Sequence, residues 1–116
     1  MTGVQTCALP ISKSFLIKHP TKDGMQLQYA SLEGPEQGVY VRGVANSNVI
    51  VLPDYWYGLV RDNTVTAQLT SVGSFQPLYI ASANVYEVHV GGWSGMEFHY
   101  SVYGERADIE KLKVEF

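Results

Sequence analysis

Four acidic and imidazole side chains late in the chain set the sharpest chemical question. Glu87 and His89 lie two apart in the run 85–90, and Glu97 and His99 lie two apart in the run 96–103. Both runs alternate apolar and polar residues, which is the period of a half-buried strand. Gly91-Gly92-Trp93-Ser94-Gly95 joins them and reads as a hairpin loop. Centring the turn on Trp93 places Glu87 opposite His99 and His89 opposite Glu97. Val88, Tyr86 and Val90 then face Phe98, Tyr100 and Met96. Carboxylates and imidazoles on one face are zinc-ligand types. The plainer alternative is two cross-strand acid–base pairs on a solvated face. It is preferred, because zinc hydrolase motifs sit on helices or use a Cys/His spacing not found here. A one-residue slip in register would also dissolve the face. No metal and no other cofactor is expected.

A second pair of acids, Glu33 and Glu36, flanks Gly34-Pro35, and Arg42 follows in the next strand-like run. Two carboxylates are what general acid–base or glycosidic chemistry needs. Spacing across a Gly-Pro corner does not fix their separation. The structural alternative makes Glu33, Gly34, Pro35, Glu36 and Arg42 a corner between strands. There the acids accept turn N–H groups or pair with Arg42 or Arg106. A third constellation is aromatic. Tyr55, Trp56, Tyr57 and Trp93, supported by Asp54, could stack on a sugar, because flat ring faces suit aromatic side chains. Such residues more often close a core or a subunit interface. His19, before Pro20, reads as a hydrogen-bonded histidine at a strand end. No nucleophile elbow and no phosphate loop occurs.

The elements that must position these residues are short strands. Residues 14–19 place Phe15 and Ile17 on one face, and Thr21-Lys22-Asp23-Gly24 is a turn. Met25, Leu27 and Tyr29 alternate with Gln26 and Gln28. Val39 and Val41 oppose Tyr40 and Arg42. Residues 49–52 form a buried strand stopped by Pro53, and 53–59 form the one expected helical turn. Val65, Ala67 and Leu69 point inward from the next strand. Leu78 and Ile80 flank Tyr79 in another. Residues 105–113 make a short helix or an extended tail. About eight strands with frequent turns predict an all-β, mainly antiparallel domain, a small sandwich or barrel with at most one helical turn.

Composition narrows the classes further. The 116 residues are 46% hydrophobic, enough for one core. Only 16% are charged, against roughly 25% in an ordinary soluble domain. Eight tyrosines and eleven glycines accompany that deficit and suggest β surface buried against a partner. A net charge of −3 without a basic run disfavours nucleic acid. No apolar run approaches the roughly 20 residues of a membrane span. Residues 1–12 stand apart: they resemble the translation of a sequencing-library adapter and are expected to be artefactual and disordered. Cys7, the single cysteine, lies there, so no disulfide is expected. The domain is expected to span 13–116.

An ordered series of short motifs runs through the domain. It begins with Lys13-Ser14-Phe15-Leu16-Ile17 and His19-Pro20-Thr21-Lys22, and continues with the run 27–29 and the corner 32–36. Val39-Tyr40, Arg42-Gly43, Leu52-Pro53-Asp54-Tyr55-Trp56, Leu69-Thr70 and Gly73 follow. Tyr103-Gly104-Glu105-Arg106 with Asp108 closes it. The series resembles a small C-terminal domain of tail-fibre-like and other virion structural proteins of tailed bacteriophages. That resemblance implies a non-enzymatic domain that caps a shaft or faces a host surface. It implies a homotrimeric full-length protein with the shaft upstream of this fragment, and a virion location. Possible partners are a bacterial surface glycan or protein. The alternatives from the residues alone are a carbohydrate-binding module of a secreted or cell-surface bacterial protein and, behind it, a glycosidase or metal hydrolase.

Overall fold

The computed structural model describes residues 14–116; the adapter-like segment, Cys7 and Lys13 lie outside the described residues. The described residues form eight strands: β1 (Ser14–Lys18), β2 (Gln26–Ala30), β3 (Gly38–Ala45), β4 (Val49–Val51), β5 (Thr66–Ser71), β6 (Tyr79–Ala83), β7 (Glu87–Gly91) and β8 (Phe98–Glu105). All strand pairings among the described residues are antiparallel. The expected all-β class is therefore correct. Two 3-10 turns occur, Trp56–Gly58 and Asp62–Thr64, where one helical turn was expected.

Three sheets form: the hairpin β1-β2, and two three-stranded sheets of order β3-β8-β5 and β4-β7-β6. Each strand of one triple continues through a bend into its counterpart in the other. β3 leads to β4, β5 to β6 and β7 to β8. The domain is thus a three-stranded ribbon folded over on itself, with one core between its halves. Val39 and Ala45 of β3, Ile50 of β4, Val88 and Val90 of β7, and Phe98 and Val102 of β8 are buried there. Each sits at alternate positions, as a pleated strand with one buried face requires.

The strand alternation in 39–42 and 65–69 has the expected faces. Val51 does not: it is 77% exposed, because β4 alternates and buries only Ile50 and, past its end, Leu52. Met25 is also exposed, lying before β2. The expected hairpin of 85–90 with 96–103 does not form. β7 pairs with β4 and β6, while β8 pairs with β3 and β5. The alternation was sound but identified faces, not partners. The Gly-rich linker crosses between sheets, with Gly92 at φ 74° and Gly95 at φ 95°.

Hairpin β1-β2 packs on the sandwich through the Trp56–Gly58 turn. Trp56 is fully buried, and its indole N–H donates to the Tyr29 hydroxyl at 3.4 Å. The Tyr29 and Tyr55 hydroxyls lie 2.6 Å apart. His19 is buried, and its Nδ1 accepts the backbone N–H groups of Thr21 and Lys22 at 3.2 and 3.0 Å, the strand-end role expected for it. The far side of the hairpin meets Arg106. This buried guanidinium lies 3.8 Å from the Phe15 ring centre and forks onto Asp108 at 2.9 and 2.6 Å. Residues 107–116 beyond it form no helix: 107–109 bend, and 110–116 have no regular structure. A planar fork holds a carboxylate and stacks on a ring in a way an ammonium cannot. Arg106→Lys is expected to lower stability by about 1–2 kcal/mol in urea unfolding; an unchanged midpoint would show that the fork does not hold the hairpin.

Candidate functional site

Folding the ribbon leaves each sheet with one face against solvent. On the β3-β8-β5 sheet, three rows of outward side chains run across the strands in register. They are Tyr40–Tyr103–Thr66, Arg42–Ser101–Gln68 and Val44–His99–Thr70. Inward neighbours on the same strands, Val39, Phe98 and Val102, are buried, so the parity of the pleat fixes the outward set. The two lower rows frame a depression of about 270 Å³ lined by Arg42, Val44, Gln68, Thr70, His99 and Ser101, with Gly43 and Tyr100 completing it. A second hollow, of about 470 Å³, lies on the other side of Arg42, against Gln28, Tyr29, Ala30, Tyr40 and Val41. Arg42 thus stands as a ridge between two hollows. Among the described residues its guanidinium has no hydrogen-bond or ion-pair partner.

The remaining sequence-derived candidates are placed as follows. Glu87 and His89 share the outer face of the other sheet and contact each other directly through Oε2 and Nε2. His99 belongs to β8, opposite Val44 and Thr70, and Glu97 precedes β8. The four-residue face is therefore divided between two sheets. Among the described residues no three His, Cys, Asp or Glu side chains are grouped to hold a metal ion. The sugar-stacking platform is likewise not assembled. Trp56 is core, and Tyr55 is held between Tyr29 and His19, whose ring meets it edge-on at 5.0 Å. Tyr57 is exposed and stacks on Tyr86 at 6.2 Å. Asp54 pairs with Lys22 at 3.4 Å. Trp93 lies on the crossover between sheets, its indole N–H donating to the Met96 carbonyl at 2.8 Å.

The Gly34-Pro35 corner does join two strands, β2 and β3. Glu33 and Glu36 are exposed there and line one hollow of about 80 Å³ with Leu32, Pro35 and Tyr103. Arg106, offered as their partner, holds Asp108. Arg42 belongs to the sheet face, not the corner.

Sequence reasoning missed Gln76. It is buried, and its amide N–H groups donate to the carbonyls of Met96 and Glu97 at 3.0 and 3.3 Å. Its Oε1 accepts the N–H and hydroxyl of Ser94, each at 3.0 Å. One side chain thus ties the β5–β6 bend to the β7–β8 bend. Its neighbours Phe75 and Pro77 gave no periodic signal that position 76 would be buried.

Burial lifts the Tyr55 hydroxyl above the ordinary tyrosine range; the bond to Tyr29 and the nearby charges of Tyr29 and Asp54 act in the same direction. The folded state holds this proton more tightly than the unfolded chain. Its stabilising share is complete below about pH 10 and is lost as pH rises beyond that toward the folded value. Stability is therefore expected to fall above about pH 10, and Tyr55→Phe to flatten that limb of the curve. Denaturant melts across the alkaline range check this; an identical alkaline slope in the variant contradicts it.

Comparison with protein families, with curated proteins and with solved structures returns no match. The chemistry of the site therefore rests on the residues themselves.

Proposed function

We propose that the chain is a non-enzymatic β domain of a bacteriophage tail fibre or related virion protein, with a structural or host-facing role. The observation that carries this reading is the set of large apolar side chains left outside the core. Tyr57 and Tyr86 stack on each other in the open, and Val51, opposite Glu87 in the register, is exposed as well. Phe75 is 84% exposed at the β5–β6 bend, near Met96 of the neighbouring bend. Exposed apolar patches of this kind belong to surfaces that meet a partner. The extents of 48 × 29 × 28 Å suit a domain set end-on to a shaft. A trimer would cover the Val51, Tyr57 and Tyr86 patch, and the remaining faces would meet the host.

Light scattering tests the capping role: a trimer is expected, dissociated by Tyr86→Asp. Retention of labelled chain on bacterial envelopes tests the host-facing role. A chain that stays monomeric and is retained by no envelope overturns the reading. A second reading, a carbohydrate-binding module of a secreted or cell-surface protein, is supported by the polar Arg42 face. It predicts a monomer that binds soluble glycan.

A further inference from the structure

The structure assigns the outer face of the β3-β8-β5 sheet a ligand class: we propose that it binds an acidic saccharide, with Arg42 holding the sugar carboxylate. This deepens the host-facing reading and rests on it. Three observations converge.

The first is charge. The whole chain carries −3, yet the three outward rows of this sheet contain arginine and histidine and no carboxylate. The next outward position along β8, Glu105, is buried and neutralised by Lys111 at 2.6 Å and Arg61 at 3.5 Å. Exposed Glu33 and Glu36 lie near the Tyr103 end of the face, so its basic character is confined to the Arg42 end, a local basic site on an acidic protein. Such contrast selects an anionic ligand.

The second is an open guanidinium. Arg42 is exposed, lies between two hollows, and among the described residues is bonded to nothing. Every other arginine has a partner: Arg61 has Glu105 and the Ile109 carbonyl, and Arg106 has Asp108. A planar fork held on a strand with its donors unspent fits one carboxylate, bidentate.

The third is what surrounds it. Gln68, Thr70, Ser101 and His99 line the same depression and offer donors and acceptors for hydroxyl groups. Strands lie about 4.8 Å apart, so the face spans roughly 10 Å from β3 to β5. That is the width of a short saccharide. Tyr40 and Tyr103, with ring centres 6.2 Å apart, form the adjoining row and present an apolar surface suited to the C–H face of a sugar ring. One arginine with hydroxyl-binding neighbours favours a sugar acid over a phosphate polymer, which would call for a wider basic surface.

The test uses the full chain and two probes of equal length, an oligogalacturonate and the corresponding neutral galactose oligomer. Amide NMR titration should show shifts at Arg42, Gln68, His99 and Ser101 with the oligogalacturonate. The neutral oligomer should bind at least about tenfold more weakly, the scale of one charge-assisted contact. Arg42→Ala should remove that preference, and Arg42→Lys should recover part of it. Thermal unfolding of both variants should match the parent, because Arg42 is exposed and among the described residues has no hydrogen-bond or ion-pair partner. Equal affinity for the two probes, or an acid preference that survives Arg42→Ala, overturns the proposal. So do shifts that grow with protein concentration without sugar, which would assign the face to a second copy. The two readings fail separately. Envelope retention that survives Arg42→Ala sinks the acidic site and leaves the host-facing role. Oligogalacturonate binding without retention on any envelope does the reverse.

Discussion

Trp56→Ala is expected to remove about 3–5 kcal/mol of stability, a large share of what a domain of this size has. The side chain is wholly buried in the core cluster that also holds Leu59 and Leu27, with half-buried Tyr29 packed against it, and a space of that size is refilled only by moving a strand. Trp56 also joins two parts of the fold. Its ring closes the sandwich core, and its indole N–H reaches Tyr29 on the β1-β2 hairpin. Loss of the ring should therefore loosen the hairpin first. Hydrogen exchange at Leu27 and Tyr29 should rise more than at Val102. Trp56→Phe keeps most of the apolar volume and should cost clearly less. Urea melts of the two variants decide the matter. A loss below about 1 kcal/mol for the alanine variant would mean that Trp56 is not a keystone.

Gly92→Ala carries the second large effect. Gly92 has φ 74°, and a Cβ there would lie 2.0 Å from the Pro77 carbonyl oxygen, an obstacle of backbone. Gly95 is the control. It has φ 95° but open space around the same position. The left-handed conformation alone costs an L-residue roughly 1–2 kcal/mol. Gly95→Ala should lose about that much, whereas Gly92→Ala should lose well over 3 kcal/mol or fail to fold. Equal losses would show that strain, not the approach of the two bends, makes glycine necessary at 92. The bend at 92 matters because Gln76 secures the same junction from the other side.

Much of the fold was legible locally. The alternation around Val39, Val41, Val65, Ala67 and Leu69 identified both the strands and their buried faces. Pro53 and Gly58 marked the structured corner that holds Trp56. Pairing was not legible, because alternation says which way a side chain points and not which strand lies beside it. Gly91 to Gly95 looked like a hairpin loop, since glycine serves a tight turn and a crossover equally well. The candidate face shows the same limit. Arg42 reads in sequence as part of the Gly34-Pro35 corner; its row with Ser101 and Gln68 exists only through β8, some sixty residues later. Trp56 and Trp93 are chemically alike in the sequence; only packing makes one core and leaves the other at a bend.

The strand order has a consequence for how the molecule comes into being. β3 and β5 pair only with β8, and β4 and β6 pair only with β7, among the described strands. Both central strands lie together at 87–105, after every strand they serve. During synthesis, four of the outer strands must wait without a neighbour until that stretch leaves the ribosome. Only the β1-β2 hairpin can pair early. A chain interrupted before Glu87 would hold most of the apolar residues and almost none of the hydrogen-bonded sheet, with its unpaired edges exposed to other chains. Assembly is therefore withheld until the last third of the domain has been made. It then comes at once, as one ribbon closing on its centre.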